Sequence, residues 1–222
     1  MIATRKLVDS DEEQGLLEEL LEGVKPPVPR ETEGLHYLLS TPFRHPPLRH
    51  GSRFATRHEP SLWYGSEALA TAFAEVAYYR LLFLEGTSAE LEPIEVELSA
   101  FQARIRSERC VDLGAGPFRE YQLALRSATS YAATQALGAA MRADGVEMFL
   151  FGSARSDDGG RNVALFTSRV FTRKKPTVPQ TWRCIATRAG VEIVRRDYFT
   201  QARHRFEREQ FLVQAVLPRP AI

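Results

Sequence analysis

Cysteine is nearly absent. Cys110 and Cys184 are the only two, and neither stands in a Cys-x-x-Cys or His-x-Cys cluster. That argues against a disulfide scaffold and a thiolate zinc site, and two lone thiols suit a reducing cytosol. Long apolar runs are missing as well. None approaches the ~18 residues of a spanning helix, and residues 1–12 lack the apolar stretch of a signal peptide. The expectation is a cytoplasmic protein with no membrane contact. No internal repeat occurs, and a net charge of +1 gives no global case for nucleic acid. What is present is globular: 222 residues, 44% hydrophobic and 26% charged, enough to bury a core without staples.

The charge is unevenly spread. Residues 1–34 carry four Lys/Arg against nine Asp/Glu, residues 35–172 fourteen against fifteen, and residues 173–222 eleven against four. An acidic head and a basic tail therefore flank a neutral middle, most simply as solvated faces or as ends that meet. This suggests three parts: an acidic helix with a Pro-rich linker (1–34), a core (35–172), and a basic hairpin-and-helix extension (173–222).

Ser10-Asp11-Glu12-Glu13 predicts a capped helix start, followed by a stripe of Leu16, Leu17, Leu20 and Leu21 and a stop at Gly23. Pro26, Pro27 and Pro29 stiffen the linker. Residues 35–39 read as a short strand, and 41–60, with four prolines, three histidines and four arginines, as a loop. Residues 62–64 read as a strand. Ser66 then caps a helix over about 68–84, with Leu69, Ala72, Phe73, Val76 and Phe83 on one face. Further strands are expected at 94–98, 148–151 and 163–171, with a polar loop over 152–162. An Ala-rich helix is expected at 127–143, a hairpin at 182–194, and an Arg-faced helix at 199–211. Helices and strands mix without a βαβ rhythm, which predicts an α+β class.

Glu75 is the informative residue. It sits at the shoulder of the predicted helix's apolar face, half withdrawn from water, where a cation such as Arg80 or a loop arginine would pair with it. Arg53 alone is one of 25 arginines, and Tyr64 alone is a core tyrosine by default. Ser153 only loosely suggests a nucleophile elbow, because Phe151 and Arg155 occupy the glycine positions of Gly-x-Ser-x-Gly. His45, His50 and His58 share a loop without metal-ligand spacing, so no metal is expected.

Order adds what single residues lack. Leu38-Leu39-Ser40-Thr41-Pro42-Phe43-Arg44, Gly51-Ser52-Arg53-Phe54, Trp63-Tyr64-Gly65, Thr71-Ala72-Phe73-Ala74-Glu75-Val76 and Gly152-Ser153-Ala154-Arg155…Gly160-Arg161-Asn162 follow one another. Together they resemble the RES-domain family over residues 35–172, with Arg53, Glu75 and Ser153 matching the arginine, glutamate and serine that name it. Two departures stand out. Gly51-Ser52-Arg53-Phe54-Ala55 replaces the Gly-Gly-Arg-Trp-Asn of many members, and Gly152 replaces a proline before the serine. The resemblance implies an ADP-ribosyltransferase-like core, with a split antiparallel β-sheet and flanking helices. It also implies a bacterial toxin that consumes NAD⁺, by phosphorolysis in some members, held in check by an Xre-type antitoxin.

Chemistry supports the carry-over. Nicotinamide leaves NAD⁺ as a neutral molecule, so the step asks for a carboxylate beside the ribosyl cation rather than a strong acid. Glu75 supplies it. Arg53, or Arg44, would clamp the phosphates, Tyr64 would face the pyridinium, and Ser153 and Asn162 would position the substrate. NAD⁺ is then the substrate, inorganic phosphate a candidate co-substrate, and no metal or cysteine is needed. The acceptor stays open between phosphate, water and a macromolecule. The alternatives are an ADP-ribosyltransferase acting on a protein or nucleic acid with the same site, and, further off, a non-catalytic nucleic-acid-binding module using the basic tail. The two ends could pack on the core, build a homodimer or receive an antitoxin.

Overall fold

The computed structural model describes residues 8–91, 93–197 and 201–220. Its strands make two four-stranded sheets. The first has the order β1 (Trp63–Ser66), β5 (Arg161–Leu165), β4 (Met148–Gly152), β3 (Cys110–Asp112). The second has the order β2 (Ile94–Ala100), β6 (Gln180–Ala186), β7 (Gly190–Arg195), β8 (Arg203–Glu207). All neighbouring pairs are antiparallel except β3 with β4, which is parallel. With helices α1 (Asp11–Gly23), α2 (Tyr37–Arg44), α3 (Leu69–Glu85), α4 (Gln122–Leu125) and α5 (Ala132–Ala143), the class is α+β.

The long helix α3 joins the halves. It lies on β6, β7 and β8 of the second sheet and touches β1 and β5 of the first. Phe73, Ala77, Tyr78, Leu81 and Leu84 pack with Trp182, Cys184, Val191, Ile193, Phe211 and Leu217 in one core. Leu69 and Phe83, expected inside, are exposed, while Thr71, Ala74, Tyr78 and Leu81 are buried. The helix is apolar nearly all round, so its own periodicity cannot choose which flank the sheets cover. Phe54, Phe149, Phe151 and Ala164 build a second core on one face of the first sheet. Trp63, Met148, Val163 and Leu165 build a third on the other.

Several expected elements change type. Residues 35–39 are not a strand: α2 begins at Tyr37, where His36 Nδ1 accepts from Leu38 N. Leu39 and Phe43, one turn apart, face inward. Pro42 inside this helix has no N–H for the Leu38 carbonyl four residues back, and Trp63 Nε1 donates to that carbonyl instead, at 3.3 Å. The loop expected at 41–60 therefore starts only after Arg44. Ser66 does not cap α3, whose N-cap is Ala68 with no side-chain bond. The helix expected from 127 starts at Ala132, because Ser127 Oγ accepts from Thr129 N and Ser130 N and draws the backbone into a turn. The strand expected over 163–171 ends at Leu165, before a 3-10 turn at Ser168–Val170.

The Arg-faced helix expected at 199–211 is strand β8 followed by a 3-10 turn, Arg208–Phe211; residues 198–200 lie outside the described residues. His204 and Phe206 alternate with exposed Arg203 and Arg205, a period of two that pairs with β7. The arginines there are largely answered by carboxylates. Arg183 pairs with Glu95, Arg196 with Glu97, Arg203 with Glu192, Arg205 with Glu207 and Arg208 with Glu85. Glu95, Glu97 and Glu85 come from the neutral middle of the sequence, so much of the tail's positive excess is spent within the fold. The hairpin of β6 and β7 and helix α1 form where expected, and Ser10 Oγ accepts from Glu13 N at 3.1 Å. No helix among the described residues is long and apolar enough to cross a membrane.

One close approach gives a test of the packing. α5 crosses the Phe54 backbone at Gly138, where a Cβ would lie 2.1 Å from the Phe54 carbonyl oxygen. In a free helix Gly to Ala gains about 1 kcal/mol. Here overpacking against backbone wins, and Gly138→Ala is expected to lose about 1–3 kcal/mol in denaturant unfolding. A stabilised variant would contradict this contact.

Candidate functional site

The site is built where α3 meets the β4–β5 hairpin. Glu75 projects from α3 at the border between its two packed flanks and is half-buried. Its Oε1 accepts from Ser153 Oγ at 2.7 Å and from Asn162 Nδ2 at 2.7 Å. No ion pair reaches Glu75 among the described residues, so neither Arg80 nor a loop arginine plays the part expected of a partner. Oε2 has no protein partner among them either. The carboxylate is pinned on one oxygen by neutral donors and open on the other.

Ser153 and Asn162 stand at the two ends of the hairpin loop, and both are enclosed. Ser153 is 0% exposed, and its Oγ also accepts from Arg155 N at 3.0 Å. Its amide donates to Gly160 O at 2.8 Å, closing the loop. Asn162 is 5% exposed, and its Oδ1 accepts from Ser66 Oγ at 2.6 Å. Ser66 is thus a link in the site's hydrogen-bond chain. Both residues serve the carboxylate, and neither offers a free polar atom to a ligand.

Arg53 is presented by a short turn. Gly51 has φ +76°, a conformation glycine takes without strain, and a Cβ there would lie 2.4 Å from Ala55 O. Ser52 N closes the turn on Ala55 O at 2.8 Å. Phe54, 0% exposed, anchors it edge-on between Phe149 and Phe151. Arg53 Nη1 donates to Ser127 O at 2.9 Å and to Leu125 O at 3.4 Å, and its guanidinium lies 4.7 Å over the Tyr131 ring. No carboxylate pairs with it among the described residues.

Tyr64 is coupled to the same turn. Its hydroxyl shares a 2.9 Å hydrogen bond with Ser52 Oγ and accepts from Phe54 N at 3.3 Å, while its ring stands edge-on to Phe151. The residue is 37% exposed, with the hydroxyl end turned in against the buried Phe54. Burial pushes the phenol up to about 12. Tyr78 connects the two halves. Burial pushes its phenol up, and the Arg155 guanidinium lies 3.6 Å over its ring.

Arg44, the other phosphate candidate, is placed differently. Its Nε donates to Pro26 O at 2.6 Å and its Nη1 pairs with Glu22 at 2.6 Å, so it ties α1 to the body, and none of its bonds reaches the Glu75 group. Three residues without an assigned role come into the site. Arg155 is 4% exposed with its guanidinium 3.6 Å over the Tyr78 ring. Tyr131 lies under Arg53, and Arg126 grips the Ser153 carbonyl. Arg155 stands inside the Gly-Ser-Ala-Arg segment. Tyr131 and Arg126 carry no sequence signal: Tyr131 lies in a turn that reads as helix, and Arg126 stands just before it, at the end of α4. No cluster of three or more His, Cys, Asp or Glu side chains placed to hold a metal occurs among the described residues.

The RES domain model matches residues 28–186, more than two thirds of the chain, and the chain belongs to the RES-domain family. The match ends with β6, the strand that pairs with β2. RES domains are associated with NAD⁺-utilising enzymes and with toxin–antitoxin systems, which implies an antitoxin partner. No curated protein matches the chain.

The Tyr64 phenol gives a pH test. An unfolded phenol ionises near 10, the folded one near 12. The folded state keeps its proton longer, so this contribution is whole below pH 10 and fades as pH rises toward 12. Ring exposure damps it. Tyr64→Phe is expected to flatten the decline of the unfolding midpoint between pH 10 and 12. Parallel declines in the two proteins would show a solvated hydroxyl.

Proposed function

We propose that this protein cleaves the nicotinamide–ribose bond of NAD⁺ and acts as the toxin of a toxin–antitoxin pair. The observation that carries the reading is the Glu75 carboxylate, fixed on Oε1 by Ser153 and Asn162 and open on Oε2. As the bond to nicotinamide lengthens, its electron pair leaves with the ring nitrogen and positive charge grows on the ribosyl carbon and ring oxygen. A preoriented carboxylate stabilises that charge without reorganising, and its open oxygen accepts a ribose hydroxyl.

Arg53 suits the pyrophosphate, because its planar fork carries a permanent charge already aimed by two carbonyls and the Tyr131 ring. Tyr64, exposed at its ring, offers the pyridinium an aromatic face until the charge is lost. Ser153 and Asn162 act by holding Glu75. The acceptor that takes the ribosyl carbon is phosphate, water or a macromolecule. Product masses after incubation with NAD⁺, with and without phosphate and then with a cell lysate, separate the three. A macromolecular adduct would make the protein an ADP-ribosyltransferase. NAD⁺ left intact under all three conditions would overturn the reading.

Glu75→Gln keeps size and hydrogen bonding but removes the charge, and NAD⁺ cleavage is expected to fall roughly 10²-fold or more with the fold intact. Turnover near wild type would remove Glu75 from the mechanism. Arg53→Lys keeps charge but loses the fork, so the loss is expected mainly as a raised KM. A silent Arg53→Lys beside a crippled Arg44→Lys would move the phosphate clamp to α2.

In a cell, unchecked cleavage of NAD⁺ stops growth. Expression alone is expected to arrest growth, Glu75→Gln to relieve the arrest, and an Xre-type antitoxin to compete with NAD⁺ for the cleft. Unchanged growth and NAD⁺ with folded protein present would count against the toxin role.

A further inference from the structure

We infer that Arg126 is a positioning residue for Ser153 and, through it, for Glu75; the kinetic part rests on the proposed NAD⁺ cleavage. Arg126 follows α4 directly. Its Nε and Nη2 donate to the Ser153 carbonyl at 3.1 and 2.9 Å, a charged two-point grip on one backbone oxygen. Ser153 is also held by Gly160 O, Arg155 N and Glu75 Oε1. The first two belong to its own hairpin, and the third is the group being positioned. Arg126 is the hold that comes from another part of the fold.

Gly152 makes room for this grip. A Cβ at 152 would lie 2.7 Å from Arg126 Cδ and 2.8 Å from its Nε, so any side chain there pushes the flexible arginine aside. Proline, which the resemblance puts at this position, would occupy the same space. The carbonyls on either side of Arg126, Leu125 O and Ser127 O, take Arg53 Nη1. One turn therefore fixes both Arg53, through its backbone, and Ser153, through its side chain. Arg126 also lines a surface cavity of about 210 Å³ with Asp112, Gln122 and Arg161. Its truncation enlarges a space that water already reaches, and the core remains filled.

The test compares Arg126→Ala, Arg126→Lys, Gly152→Ala and the double alanine variant of both positions. In steady-state NAD⁺ cleavage, Arg126→Ala and Gly152→Ala are each expected to lower kcat about tenfold or more, because a loosened Ser153 misplaces the carboxylate. KM stays within about twofold, since the backbone grip on Arg53 survives. Arg126→Lys falls between, having charge but no fork. The double variant matches Arg126→Ala alone, because both changes break one contact. Hydrogen exchange over residues 153–160 is expected to speed up in all four variants, and it reads the positioning even if the chain leaves NAD⁺ intact. Wild-type exchange in Arg126→Ala, wild-type kcat in an active protein, or additive losses in the double variant would each overturn the inference. A wild-type chain without NAD⁺ turnover would instead overturn the proposed function, leaving hydrogen exchange to decide the role of Arg126.

Discussion

The structure turns on how one half-buried carboxylate is satisfied. A carboxylate taken partly out of water needs donors, and an arginine or lysine would supply them at the cost of neutralising it. Glu75 instead receives two neutral donors on a single oxygen, Ser153 Oγ and Asn162 Nδ2. That arrangement keeps its negative charge local and leaves Oε2 outward. It also requires three pieces of chain to arrive together: a helix turn, the end of β4 and the start of β5. Ser66 on β1 then has to steady the asparagine.

Those requirements explain the placing of α3 between two sheets. Its inner flank, from Phe73 to Leu84, packs with the second sheet, and its Thr71–Glu75 edge meets the loop end of β4 and β5. The helix cannot move without breaking a core, so the carboxylate inherits the rigidity of the whole second sheet. The first sheet is held on its far side by α2, whose proline leaves the Leu38 carbonyl for the Trp63 indole. The same strand then delivers Tyr64 and Ser66 to the site face. Packing thus determines the geometry of a polar network to which the apolar side chains contribute no atom.

Much of this was legible in the residue order. The α+β class, α1 with its Ser10 cap, α3, the β6–β7 hairpin and the segments bearing Arg53, Tyr64, Glu75 and Ser153 could all be read from local pattern and motif. What could not be read depended on partners distant in the chain. Nothing in 35–39 announces that Leu39 and Phe43 will be drawn inward as a helix face. Nothing in 127–131 says that its carbonyls will be claimed by Arg53 and Arg155, which holds the segment in a turn while the alanines behind it form α5. The basic tail looked like a surface until the second sheet formed, setting Arg183 and Arg196 against glutamates on β2, Arg203 against Glu192 on β7 and Arg208 against Glu85 on α3. Long-range ion pairs leave no periodicity behind.

Two guanidinium groups of the site lack a carboxylate partner among the described residues. Arg53 and Arg155 have carbonyls and aromatic faces for partners, and Arg155 Nη1 is buried without any hydrogen-bond partner among the described residues. The site therefore holds two fixed cations and one fixed anion at separate points. The ligand that matches it on the proposed reading is an anion overall, with a cationic end that meets the carboxylate. On the proposed reading, NAD⁺ has that pattern before the reaction, and loss of the pyridinium charge removes the attraction at Tyr64 while cation density builds beside Glu75. The change in substrate charge during bond breaking thus transfers favourable interaction from the ring's end of the cleft to the ribose, which is the direction that lowers the barrier.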